Sequence, residues 1–475
     1  MFGCDPSFTT IENRTLDELQ IGDSAEVERV LTTEDIELFA VMSGDVNPAH
    51  LDAAYAEDSD FHHVIAHGMW GGALISAVLG TRLPGPGTIY LGQSLRFRHP
   101  VSPGDRIVAR VTVREIDRTS AKVTLDCLCQ NQRGEPVITG EALVLAPREK
   151  VSRPVTALPD VRLHKAGARF AALIQQARAF PPMTTAVVHP CDDLSLIGAL
   201  QAEAAGIIAP LYVGPRAKIL ATARAANVTL DESRIVDAPH SHAAAELAVA
   251  LVREGRAAAL MKGKLHTDEL LSAVLSRETG LRTERRLSHV FALDVPDVDR
   301  MLFITDAAIN IAPDLETMRD IVQNAIDLAL ALGLAEPRVA LLSAVETVTG
   351  KIPSTLLAAS ICKMHDRGQI SGGLVDGPLA YDNAISLEAA AAKGITSGVA
   401  GRADILVAPN LESGNMIAKQ LIHLAGASSA GIALGARVPI MLTSRPDTVD
   451  ARIVSAALAK VFHHWRRQRP LGLPG

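Results

Sequence analysis

The chain has 475 residues, which at about 150 residues per domain leaves room for roughly three domains. Hydrophobic residues make up 48% and charged residues 21%, which argues against wholesale disorder. Aromatic residues are only 3% and the formal net charge is -7, so neither base-stacking platforms nor a basic footprint for nucleic acid is present.

The N-terminal stretch MFGCDPSFTTIENRT has no basic segment followed by an apolar core, so no secretory signal is expected. A helical pattern covers Thr33–Gly44 and runs into SGDVNPAHLD (Ser43–Asp52). Asp45 and His50 are five apart there, with Asn47-Pro48 between them, and proline disfavours helical backbone for the residue before it. The segment is therefore a turn, which can bring a carboxylate and an imidazole together while Asn47 fixes the loop. The competing reading makes Asp45, Asn47 and Asp52 ordinary caps and Asx turns. His67-Gly68-Met69 then opens the longest uncharged apolar run, Gly68–Thr81, which holds four glycines. It fits a buried core helix and is too short to cross a bilayer. Glycine at its start allows close approach of a ligand, and the Gly68 amide can donate to a carbonyl oxygen that gains negative charge. One acid/base pair and one oxyanion site are what the addition of water to a conjugated thioester requires.

Three strands follow, Asp105–Val113, Lys122–Asn131 and Glu135–Leu145, each alternating apolar and polar residues. Gln132-Arg133-Gly134 turns the last two into a hairpin, giving an antiparallel meander wrapped around the apolar helix. Cys127 and Cys129 share a face with Val123 and Leu125 and read as small buried hydrophobes. The five cysteines, an odd number at scattered positions, form neither a disulfide framework nor a zinc spacing, which suits a reducing cytosol. A cytoplasmic protein is expected.

SGDVNPAHLD, IAHGM and LGQSLRFRHPV resemble the MaoC-like (R)-specific enoyl-CoA hydratases over about residues 15 to 145. The resemblance implies an α+β hot-dog domain, a curved antiparallel sheet around a central helix. It also implies that Asp45 and His50 activate the water, that the Gly68 amide polarises the thioester carbonyl, and that Ser76 assists. A site at a dimer interface, hence a homo-oligomer, is implied as well. Trp70 stands where the family usually has a smaller aliphatic residue. Arg96 and Arg98 alternate with Leu95 and Phe97 and share one strand face, which is either a solvated face or a grip on CoA phosphates.

Residues 147–160 (PREKVSRPVTALPD) carry three prolines and several charges and read as a linker between a first domain, 1–146, and a second, 161–475. Beyond it, short apolar strands alternate with Ala-rich helices. The clearer strands are Thr185–His189, Ile208–Val213, Ala257–Met261, Met301–Thr305, Val339–Ser343, Gly373–Asp376, Ile405–Ala408 and Ile440–Thr443. This is the pattern of a parallel sheet covered on both faces. Its length points to two lobes, about 161–300 with 440–475, and 301–439. Four polar, glycine-bearing segments follow strands: KGKLHTDEL, DGPLAYDNAIS, PNLESGNMIAK and TSRPD. At the carboxyl ends of parallel strands such segments line a common ligand crevice. In the last of them, the Arg445 fork matches two phosphate oxygens and the Ser444 hydroxyl can donate a third bond. No GxxxxGK[ST] loop is present, and Gly198 and Gly206 do not make a dinucleotide fingerprint. Cys191 lies between a strand and a helix, a setting that can lower a thiol pKa, yet it reads as structural.

LMKGKLHTDELL, LFITDAAINIAP, VDGPLAYDNAIS, PNLESGNMIAKQL and VPIMLTSRPD resemble, in order, the phosphate acetyl/butyryltransferase family over about residues 165 to 465. The resemblance implies a two-lobed α/β, phosphotransacylase-like domain that exchanges CoA and inorganic phosphate on an acyl group without a covalent intermediate. It implies that Ser444 and Arg445 bind phosphate and orient CoA, with Asp450 as a weaker candidate for the base. Lys262, Asp306, Asn310, Asp376 and Asn415 are candidates to line the cleft by motif position. The expectation is thus a bifunctional acyl-CoA enzyme. CoA thioesters and phosphate enter it as substrates, no bound cofactor or metal is called for, and neither nucleic acid nor membrane is a partner. Two alternatives stay open: one catalytic half beside a CoA-binding or oligomerising module, and a carrier or regulatory protein without turnover.

Overall fold

The computed structural model describes residues 10–159, 161, 163, 167–296, 298–442 and 449–468. The chain divides into two compact units, Met1–Leu163 and His164–Gly475.

In the first unit a five-stranded antiparallel sheet has the order Ser24–Val30, Arg106–Asp117, Lys122–Gln130, Pro136–Leu145, Ile89–Phe97. Alternation puts Ile107, Ala109, Val111 and Val113, then Val123, Leu125, Cys127 and Cys129, on the inner face, where all are buried. Against that face lies the helix Gly68–Thr81, which buries Trp70, Gly71, Ile75, Val78 and Leu79 at helical spacing. Glycine is required where backbones meet. A Cβ on Gly140 would stand 1.9 Å from the Ser94 carbonyl oxygen of the neighbouring strand. This is the hot-dog arrangement, and the cysteine pair is core as its alternation implied.

The stretch expected to be a linker begins as part of this unit. Ser152–Pro154 pairs antiparallel with Thr10–Glu12, and the buried Asn13 side chain holds the Glu149 carbonyl and the Val151 amide at 2.8 and 2.9 Å. Proline and charge mark an exposed two-stranded ribbon as readily as a tether, because neither buries an alternating face.

The second unit is built on one continuous eleven-stranded sheet. Across it run Ile235–Asp237, Ile208–Gly214, Met183–Val188, Ala259–Lys262 and Ile440–Met441, all parallel. Ser428–Leu434 and Ser288–Asp294 come next, and then Leu302–Thr305, Ile405–Val407, Arg338–Leu342 and Leu374–Leu379, again parallel among themselves. Helices flank the strands, as in Leu315–Ala331 and Val449–Gln468, which bury long apolar stripes. The two middle strands depart from the all-parallel expectation: Ser288–Asp294 is antiparallel to both of its neighbours. Ser428–Leu434 is likewise antiparallel to Ile440–Met441, and three antiparallel junctions in a row make the two parallel sets run in opposite senses. The segments after Ala259–Lys262 and Ile440–Met441 therefore leave one rim of the sheet. Those after Ile405–Val407 and Leu374–Leu379 leave the other. Strand direction alone does not gather the four polar segments into one crevice, because an apolar run carries no sign of its orientation.

Candidate active sites

The helix Thr33–Ser43 delivers the first acidic candidate. Thr32 and Asp35 cap its start reciprocally, and Gly44 ends it in the left-handed region at φ 76°, a conformation glycine adopts without side-chain clash. The chain then turns so that Asp45 Oδ1 accepts from the Asn47 amide at 3.2 Å. Asn47 Oδ1 accepts in turn from the Ala49 amide at 3.1 Å and starts the short helix Pro48–Leu51. Asn47 is thus a cap, and Asp52 caps the next helix, Ala53–Glu57. Asp45 closes an Asx turn and also faces two imidazoles.

His50 lies in that short helix with Nδ1 2.8 Å from the Ile65 carbonyl oxygen. A carbonyl only accepts, so Nδ1 carries the proton and Nε2 of the neutral ring keeps its lone pair. His67, 2% exposed, directs Nε2 to the Asp45 carbonyl at 3.0 Å, and its ring centroid stands 3.9 Å from that of His50. One donor atom each from Asp45, His50 and His67 lies within 4.8 Å of the others. One nitrogen on each ring and the Asp45 carboxylate remain for a water, a substrate or a cation. Sequence reasoning treated His67 only as the lead into a helix, because its bond to Asp45 spans 22 residues and no local pattern announces it.

Beside the cluster lies a cavity of about 300 Å³ whose walls include His50, His67, Gly68, Trp70, Phe97 and Ile138. Gly68 opens the helix, and the first amides of a helix lack intrahelical acceptors. The structure therefore places His50, His67 and Gly68 on the wall of one cavity, with Asp45 beside the two imidazoles but outside that wall. Ser76 is not placed there. It is exposed on the same helix, about 12 Å farther along at 1.5 Å per residue, and does not line the cavity. Arg96 and Arg98 are both exposed, and of the two only Arg98 lines the cavity.

In the second unit, Ser444 and Arg445 lie outside the described residues. Asp450 is exposed in the first turn of Val449–Gln468. Lys262 is buried at the end of its strand, where its carbonyl accepts from Arg452 Nη1 at 3.2 Å. Asp306, also buried, accepts from the amides of Ala308, Ile309 and Asn310 at 2.9 to 3.2 Å and from Asn310 Nδ2 at 2.6 Å. Asn415 Nδ2 donates to the Ala307 carbonyl at 3.1 Å, so Asp306, Asn310 and Asn415 form one cluster. Asp376 stands apart, three strands away, or about 14 Å at strand spacing.

Between these groups lies His289, which sequence reasoning passed over. It is the second residue of Ser288–Asp294, is 1% exposed, and faces both Asp306 and the Leu442 backbone. Burial pushes its pKa down, and the Asp306 carboxylate partly opposes that. Burial likewise pushes the Cys191 thiol up to about 11, so this cysteine is not an activated nucleophile. No described helix is long and apolar enough to cross a membrane.

Comparison with known proteins separates the same two units. Residues 19–127 match the family model described as MaoC like domain, and residues 240–460 match phosphate acetyl/butaryl transferase. A phosphate acetyltransferase of Rhizobium meliloti is 61% identical over 295 residues, covering 62% of this chain and 93% of the relative. A branched-chain phosphotransacylase from Enterococcus faecalis matches in structure with TM-score 0.52 and 32% identity, covering 59% of this chain and 99% of that one. An (R)-hydratase of Pseudomonas aeruginosa is 45% identical, covering 33% of this chain and all of its own, with TM-score 0.32. The chain therefore belongs to the phosphate acetyl/butyryl transferase family and carries a MaoC-like domain ahead of the transferase.

Proposed function

We propose that the first unit hydrates trans-2-enoyl-CoA to (R)-3-hydroxyacyl-CoA while the second exchanges an acyl group between CoA and phosphate. The observation that carries the hydration reading is the convergence of Asp45 and His50 beside a largely apolar cavity that the Gly68 helix start also lines. Asp45 and the His50 Nε2 lone pair hold a water and take its proton as the oxygen bonds to the β-carbon. The electron pair moves onto the thioester oxygen, where the Gly68 N–H stabilises the enolate. The proton held by the pair then passes to the α-carbon, so that one water is added and nothing else is consumed. His67 holds the Asp45 loop by donating to the Asp45 carbonyl and lies tilted against His50. Coenzyme A thioesters and phosphate are the substrates of the two units. The acyl group of the second is proposed as acetyl, in keeping with the Rhizobium meliloti relative.

A homo-oligomer is proposed from the sheet edge. Ile89–Phe97 is the terminal strand, and Ile89, Tyr90, Leu91 and Phe97 are all more than 40% exposed on it. A second copy covering that edge predicts a stable dimer by light scattering at micromolar chain concentration, and a monodisperse monomer would contradict it. The free thiols of Cys127, Cys129, Cys191 and Cys362 agree with a reducing, cytoplasmic setting. Hydration is tested by running crotonyl-CoA with the full chain in deuterium oxide. The mechanism places one deuterium on the α-carbon of the product. Absence of hydration, or several deuteriums, would refute it.

A further inference from the structure

We infer that Trp70 closes the inner end of the cavity and confines the first unit to short acyl chains. This rests on the hydration reading. The cavity has a direction. At its outer end Phe61 and Phe97 are 42% and 54% exposed, whereas Ile107, Val137, Ile138 and Trp70 are buried. An acyl chain whose thioester carbonyl meets Gly68 therefore extends toward Trp70. Helical side chains lean toward the helix N-terminus, which brings the indole of the third helical residue back over the space beside His67 and Gly68.

The gap between helix and sheet is fixed at two points. A Cβ on Gly71 would lie 2.4 Å from Ile138 Cδ1, and one on Gly68 would lie 2.9 Å from Phe97 Cε1. With both contacts made by the bare backbone, the helix is already seated against these side chains. Apart from His67, which belongs to the imidazole–carboxylate cluster, the rest of the buried wall is aliphatic (Ala66, Ile107, Val137, Ile138), so the indole is the large group whose replacement would lengthen the space. One methylene in a hydrophobic pocket discriminates by about 10-fold or more.

The test compares kcat/KM of the full chain for crotonyl-CoA and trans-2-octenoyl-CoA, in the wild type and in Trp70→Leu. The wild type is expected to favour crotonyl-CoA by at least about 10-fold, and the substitution to raise the octenoyl/crotonyl ratio by at least about 10-fold. A wild type that hydrates both equally well, or a ratio unmoved by the substitution, would overturn the inference. Trp70→Met gives a smaller change in the same direction and serves if the leucine variant does not fold. A wild type that hydrates neither substrate would instead remove the hydration reading beneath it.

Discussion

Replacing Asp45 by asparagine separates the chemistry from the loop. Asp45 is exposed, and its Oδ1 makes one local bond, to the Asn47 amide at 3.2 Å. The asparagine carbonyl can accept the same bond, and the Asp45 backbone carbonyl still receives His67 Nε2, so the turn is preserved. Stability should change by no more than about 0.5 kcal/mol, as for surface substitutions generally. The negative charge beside His50 is lost, and with it half of the acid/base pair. General acid–base catalysis contributes about 10²–10⁴-fold, so kcat for crotonyl-CoA should fall by that factor, or about 3–5 kcal/mol of transition-state stabilisation. Because the two groups act as a unit, Asp45→Asn with His50→Gln should cost little more than the larger single loss. The assay follows disappearance of the conjugated thioester, alongside acetyl phosphate formation from acetyl-CoA and phosphate. A D45N chain that keeps its hydration rate, or that loses both activities while still folded, would refute the assignment.

Gly140→Ala forces a Cβ to within 1.9 Å of the Ser94 carbonyl oxygen. It should destabilise the first unit by about 3 kcal/mol, read as a fall of roughly 6–12 °C in its thermal transition. An unshifted transition would contradict the packing described. Arg445→Ala should lower acyl-phosphate formation by about 10²–10³-fold through the lost charged hydrogen bonds and leave hydration unchanged, as measured in the same preparation. In Val449–Gln468, burial and then the charges of His464, Arg467 and Arg466 hold His463 down at about 4. As pH falls below about 6.5 the unfolded chain takes up a proton that the folded chain resists, so stability declines from there toward pH 4. One such proton gives a slope of at most about 1.4 kcal/mol per pH unit, and His463→Phe should flatten the decline in melts taken between about pH 6.5 and 5.

Helix Thr33–Ser43 and the strands from Arg106 to Leu145 were legible because capping residues and strict alternation act within a few residues. The edge strand Ile89–Phe97 lacks that alternation, since it is exposed along almost its whole length, and only its Arg-Phe-Arg end read as strand. In the second unit the short apolar runs showed where strands lie but not which way they point. Ser288–Asp294, buried on both faces, and Ser428–Leu434 beside it make the three antiparallel junctions that reverse the sheet, without any mark in their composition. The same limit governs the sites. Asp45, His50 and Gly68 stood out because turn chemistry and a glycine helix start are local. His67 and His289 take their places through contacts with distant backbone carbonyls, and Asp376 shows that nearness in motif order is not nearness in space.

The most direct test is made on a single preparation of the intact chain, with crotonyl-CoA and no phosphate in one cuvette and acetyl-CoA with phosphate in another. Both substrates should be consumed, the first giving (R)-3-hydroxybutyryl-CoA and the second acetyl phosphate, with neither rate altered by the other's reactants. Rapid acetyl phosphate formation from a chain that leaves crotonyl-CoA untouched would contradict a second active centre in the MaoC-like domain.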